Sequence, residues 1–64
     1  MNIKVGQVWE MYSKQDNGWV RMIVARVEDD IITLHPEGLL ELILVHRREM
    51  LSSPDRFRQP LDAN

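Results

Sequence analysis

Apolar and polar positions alternate along much of this chain, and three clusters of turn-forming residues, Asp16-Asn17-Gly18, Glu28-Asp29-Asp30 and Pro36-Glu37-Gly38, cut the alternation into segments. Segments 7–13, 19–27, 31–35 and 39–46 hold most of the Val, Ile, Trp and Tyr, which fit a pleated, half-buried surface. Four such segments joined by short loops predict an antiparallel β meander.

Side-chain facing selects the registers, because a slip of one residue turns a whole strand over. A three-residue loop at Asp16-Asn17-Gly18, with Gly18 left-handed, sets Gln15 opposite Trp19, Met11 opposite Ile23 and Trp9 opposite Ala25. A tighter Asn17-Gly18 turn would put Glu10 against Ala25 on the core face and Lys14 against Arg21. The longer loop is therefore preferred. A two-residue Asp29-Asp30 turn then pairs Val27 with Ile32 and Ala25 with Leu34. A second three-residue loop, at Pro36-Glu37-Gly38, pairs Leu34 with Leu40 and Ile32 with Leu42 and leaves Thr33 and Glu41 to solvent. The expected core is Trp9, Met11, Ile23, Ala25, Val27, Ile32, Leu34, Leu40, Leu42 and Leu44.

The reverse face carries Val8, Tyr12, Met22, Val24, Ile31 and Ile43 among its polar residues, too much apolar surface for a free sheet. Bending of the sheet, a tail bearing Met50, Leu51, Pro54 and Phe57, or a homodimer partner would cover it. Ser53-Pro54-Asp55 has the form of a helix start, with Ser as N-cap and Pro at the first position, so a short C-terminal helical turn is expected there. A rival reading makes 39–51 a helix, with acids early and Arg47 and Arg48 late. Its leucines, Ile43 and Val45 would spread almost all round that helix, which favours the strand.

Length and composition narrow the picture. A chain of 64 residues is one domain, expected over 1–58 with a flexible tail at 59–64, and at this size it needs a well-filled core. There is no cysteine, so neither a disulfide framework nor a thiolate metal site is expected, and a reducing, cytoplasmic setting follows. No apolar run has the length of a membrane span. The net charge of −2 argues against a broad phosphate-binding field, although Arg47, Arg48, Arg56 and Arg58 make the C-terminal segment basic.

Signs of catalysis are weak. Ser13, Ser52 and Ser53 lack a glycine-rich elbow or a neighbouring His pattern and read as turn and cap residues. In the expected hairpin His46 pairs with Glu28, about 23 Å along the sheet from His35, so the two imidazoles share no metal. Asp29-Asp30 reads as a solvated hairpin tip, and Gly6, Gly18 and Gly38 match no phosphate-binding spacing. No enzyme activity, cofactor or metal site is expected. Of the aromatic residues, Trp9 and Phe57 suit the core and Tyr12 and Trp19 one rim.

Val5-Gly6-Gln7-Val8-Trp9, the strand 19–27, Ile31-Ile32-Thr33-Leu34, Glu49-Met50-Leu51 and Pro54-Asp55-Arg56-Phe57 together resemble small bacterial and phage-type proteins with an SH3-like barrel. The resemblance implies a mostly β fold, a four-stranded antiparallel meander curled into a small barrel of Tudor-like or KOW-like architecture, and a binding or adaptor role. Two roles fit the residues. A protein partner would be met by Tyr12, Trp19, Met22, Val24 and Arg26 on the outer face. Nucleic acid would be met by Arg47, Arg48, Arg56 and Arg58, with Tyr12 or Trp19 stacking on bases.

Overall fold

A computed structural model describes residues 2–61. The chain forms strands β1 (Val8–Ser13), β2 (Gly18–Glu28), β3 (Ile31–Pro36) and β4 (Ile43–His46), then helix α1 (Arg47–Ser52) and a two-residue strand β5 (Phe57–Arg58). All pairs are antiparallel, in the order β4-β3-β2-β1-β5. The expected mostly β fold is present as a five-stranded sheet curled into a half-barrel with one short helix. The helix begins at Arg47, and Ser53 is its C-cap where the sequence suggested an N-cap. Of the tail expected at 59–64, residues 62–64 lie outside the described residues, while Pro60 is buried.

Two of the three expected loops are longer in the structure. Residues 14–17 connect β1 to β2, and Asn17 (φ 53°), rather than Gly18, takes the left-handed conformation. An Asn tolerates this region because its short amide side chain satisfies the nearby backbone. Trp9 consequently pairs with Met22 and Met11 with Val20, so β2 is turned over relative to expectation. Met22 and Val24 are core residues and Ile23 faces the other way. Residues 37–42 connect β3 to β4, with Gly38 left-handed (φ 85°), and the pairs become Leu34 with Ile43 and Ile32 with Val45. Leu40, Leu42 and Leu44 are thereby excluded from the core they were expected to build.

The Asp29-Asp30 turn forms as expected and pairs Val27 with Ile32. Ala25, however, has no partner across the ladder, since Val24 pairs with Leu34 and Arg26 with Thr33. This one-residue bulge returns Val27 to the face that Met22 and Val24 occupy, because the extra residue shifts the alternation by one. The core comprises Ile3, Trp9, Met22, Val24, Ile32, Leu34, Met50 and Phe57, with Met11, Val20, Val27, Ile43 and Val45 packed against it. α1 contributes Met50, and the turn after it brings the Phe57 ring beneath β1, where Met11 pairs with Phe57. No helix among the described residues is long and apolar enough to cross a membrane.

Candidate functional surface

With the core on one face, the other face of the sheet is set by the same registers, and its two halves differ in chemistry. On the β5-β1-β2 side, Arg58, Glu10 and Arg21 lie side by side across the strands. The Arg58 Nε donates to Glu10 Oε1 at 2.7 Å, and the Arg21 guanidinium lies 3.8 Å from a Glu37 carboxylate oxygen. The Arg58 guanidinium also stands over the Trp19 ring at 4.0 Å from its centroid, and Tyr12 meets Trp19 edge to face at 5.6 Å. Cation and ring attract through the ring quadrupole, so one face of Trp19 is already occupied.

On the β2-β3-β4 side the surface is mixed, with Ile31, Leu42 and Leu44 set among charged and polar side chains. Cross-strand rows run Arg26, Thr33, Leu44 and Glu28, Ile31, His46. Together with Ala25 and Leu42 they line an open groove of about 1080 Å³. Arg26 and Glu28 pair at 3.0 Å along its wall. Leu42 and Leu44 of the groove's lining are 66 and 69% exposed, and Leu39 and Leu40, in the loop before them, are 60 and 97% exposed. Large aliphatic side chains this exposed, this close in sequence, are unusual on a monomer's surface.

The residues expected to bind protein divide between the two faces. Tyr12, Trp19 and Arg26 are on the outer face, whereas Met22 and Val24 are buried in the core, as the turned-over β2 dictates. Neither can reach a partner from there. The exposed leucines were missed because alternation assigned them to the core. The signal against that assignment is local: β-branched Ile43 and Val45, interleaved with Leu42 and Leu44, are the residues that fit a buried strand face.

The four arginines are not gathered into one field. Arg56 pairs with Glu49 and Arg58 with Glu10, both on the β5 side. At the opposite side of the strand order, Arg47 donates through Nε (3.1 Å) and Nη2 (2.6 Å) to the Asp29 carbonyl oxygen, and Arg48 lines the groove. Of the aromatic set, Trp9 and Phe57 are buried while Tyr12 and Trp19 sit together at a rim. His46 pairs with Ile31 rather than Glu28 and His35 pairs with Ile23, and no group of three His, Asp or Glu able to hold a metal occurs among the described residues. Ser13 accepts the Asp16 amide and Ser52 donates to the Arg48 carbonyl oxygen, which are turn and helix-end roles.

No protein-family model, curated protein or solved structure matches the chain.

Proposed function

We propose that this protein is a small, non-enzymatic binding module whose partner is a protein, met by the β2-β3-β4 half of the outer face and its exposed leucines. The observation that carries this reading is the run of exposed leucines, Leu39, Leu40, Leu42 and Leu44, beside an open groove. Burying such side chains against a partner stabilises a complex by about 25 cal/mol per Å² of apolar area before the costs of association. The groove's walls supply charges of both signs, Arg26 and Arg48 against Glu28, Asp29 and Asp30, suited to orienting a partner rather than holding a polyanion. The cysteine-free composition supports a cytoplasmic setting, and the curled sheet supports the SH3-like comparison at the level of architecture.

Nucleic-acid binding is the weaker reading. Arg56 and Arg58 are engaged with carboxylates, and the acids at the hairpin tip oppose the field of Arg47 and Arg48. Affinity-tagged protein, incubated with lysate of the source cell with and without nuclease, separates the two. The protein reading expects a partner retained after nuclease treatment and lost from a Leu40→Lys/Leu42→Lys variant. A partner indifferent to that variant overturns the leucine surface, and one released by nuclease favours the arginines.

A further inference from the structure

We propose that Asn17-Gly18, at the tip of the β1-β2 hairpin, is a site of spontaneous deamidation in the folded protein, with water as the co-reactant and aspartate and isoaspartate as the products. The inference goes beyond the binding reading and does not depend on it.

The chemistry needs a backbone nitrogen that can reach the side chain of the asparagine before it. Attack of the Gly18 nitrogen on Asn17 Cγ forms an N–Cγ bond and breaks the Cγ–Nδ2 bond. Ammonia leaves with the Gly18 amide proton, and a cyclic succinimide remains. Water then opens the ring. Cleavage at Cγ gives aspartate on the original backbone, while cleavage at the main-chain carbonyl gives isoaspartate, whose backbone runs through Cβ and Cγ. An amide is exchanged for a carboxylate with no change of oxidation state, and one negative charge is added to a chain of net charge −2.

Three observations place the reaction at this position. A side chain on the following residue shields the attacking nitrogen, and Gly18 has none. Of Asn2, Asn17 and Asn64, Asn17 alone precedes a glycine, whereas Asn2 precedes β-branched Ile3, which is buried. Asn17 is also exposed, in the loop 14–17. Finally, the Tyr12 amide donates to the Arg56 carbonyl oxygen on the β5 side, so alternation turns the Ser13 backbone toward β2, where it faces the Gly18 amide in the last pair before the loop. Freeing that nitrogen takes the opening of one terminal pair, and ladder ends open at far lower free energy than the core.

The fold does not require the glycine. In this hairpin the left-handed conformation belongs to Asn17 (φ 53°), and the glycines at positive φ are Gly6 and Gly38. A Cβ at position 18 would meet the Asp16 carbonyl oxygen at 3.9 Å, an ordinary van der Waals contact. The nitrogen is therefore left bare where a small side chain would fit. Aspartate tolerates the left-handed region as asparagine does, so the loop accepts the first product. Isoaspartate lengthens the loop by one methylene beside the Ser13-Gly18 pair, and either product adds a carboxylate to a loop that holds Lys14 and Asp16.

Timed incubation of the full chain at neutral and mildly alkaline pH, followed by ion exchange and peptide mass spectrometry, tests the proposal. A more acidic species is expected to accumulate while the far-UV spectrum stays native, with the mass change at Asn17 and isoaspartate detected by enzymatic carboxyl methylation. Its rate should rise with hydroxide concentration. Gly18→Ala should unfold at no lower urea concentration than the wild type and react more slowly by on the order of tenfold, and Asn17→Ala should yield no such species. Met22→Ala, which weakens the whole fold, should leave the rate at Asn17 unchanged if opening is confined to the hairpin end. Conversion at Asn17 no faster than at Asn2 overturns the proposal, as does a Gly18→Ala rate equal to that of the wild type. A native chain that stays intact while urea-unfolded chain converts, or a Met22→Ala rate raised by its full unfolding factor, overturns reaction in the folded state. Aspartate without isoaspartate overturns the cyclic route.

Discussion

Gln7 joins parts of the molecule that are far apart in character. Its Oε1 accepts the Trp9 indole N–H and the Lys4 amide, each at 3.1 Å, while its Nε2 donates to the Asn2 carbonyl oxygen at 3.3 Å. Trp9 is 3% exposed, so its one N–H donor depends on this amide. Replacing Gln7 by Leu should cost about 1–3 kcal/mol, the penalty for a desolvated donor left unmatched, measured by urea denaturation and accompanied by a change in Trp fluorescence. A second residue-level contrast tests the orientation of β2. Met22→Ala opens a cavity at a fully buried site and should cost about 2–5 kcal/mol, whereas Leu40→Ala should leave monomer stability within about 0.5 kcal/mol. Equal effects in urea unfolding would show that the faces are assigned wrongly.

At the level of elements, the first three strands and the Asp29-Asp30 turn were legible from residue type and turn chemistry, because both are local properties, whereas the fourth strand is only the second half of the expected 39–46 and β5 was not foreseen. The registers were not. Asn17 and Gly18 both tolerate left-handed backbone, and nothing local separates a three-residue from a four-residue loop. The bulge at Ala25 hides further, since Ile23, Ala25 and Val27 alternate as well on paper as Val20, Met22 and Val24 do in the sheet. Leu40, Leu42 and Leu44 misled for a different reason: a leucine that alternates within a strand reads as core, and an exposed one breaks that rule. Positions where consistent local rules fail are where function is to be sought, and this failure falls on the proposed interface. Of the residues singled out in the sequence only Arg26 lies on the proposed surface, since Tyr12 and Trp19 sit beside Arg58 on the other half of the outer face. A further element-scale prediction concerns the clasp between α1 and the hairpin tip. Arg47→Met removes both side-chain donors to the Asp29 carbonyl, and should cost about 1 kcal/mol. Hydrogen exchange should register the loss first at amides of the β2-β3 tip, with β1 amides unchanged; uniform acceleration would refute a local clasp.

For the molecule as a whole, small size leaves little margin: a 64-residue chain buries only about 60% of the surface its unfolded form exposes. The Ala25 bulge bears on the whole chain, through tolerance to changes in length. Losing one residue elsewhere in β2 would send every side chain beyond it to the wrong face. Losing Ala25 would leave Val24 opposite Leu34, Arg26 opposite Thr33 and Val27 opposite Ile32, an uninterrupted ladder with the same inside and outside. The longest strand therefore contains one joint at which a deletion changes the sheet's curvature and not its pattern, and there the half-barrel's opening can be adjusted without rewriting its core.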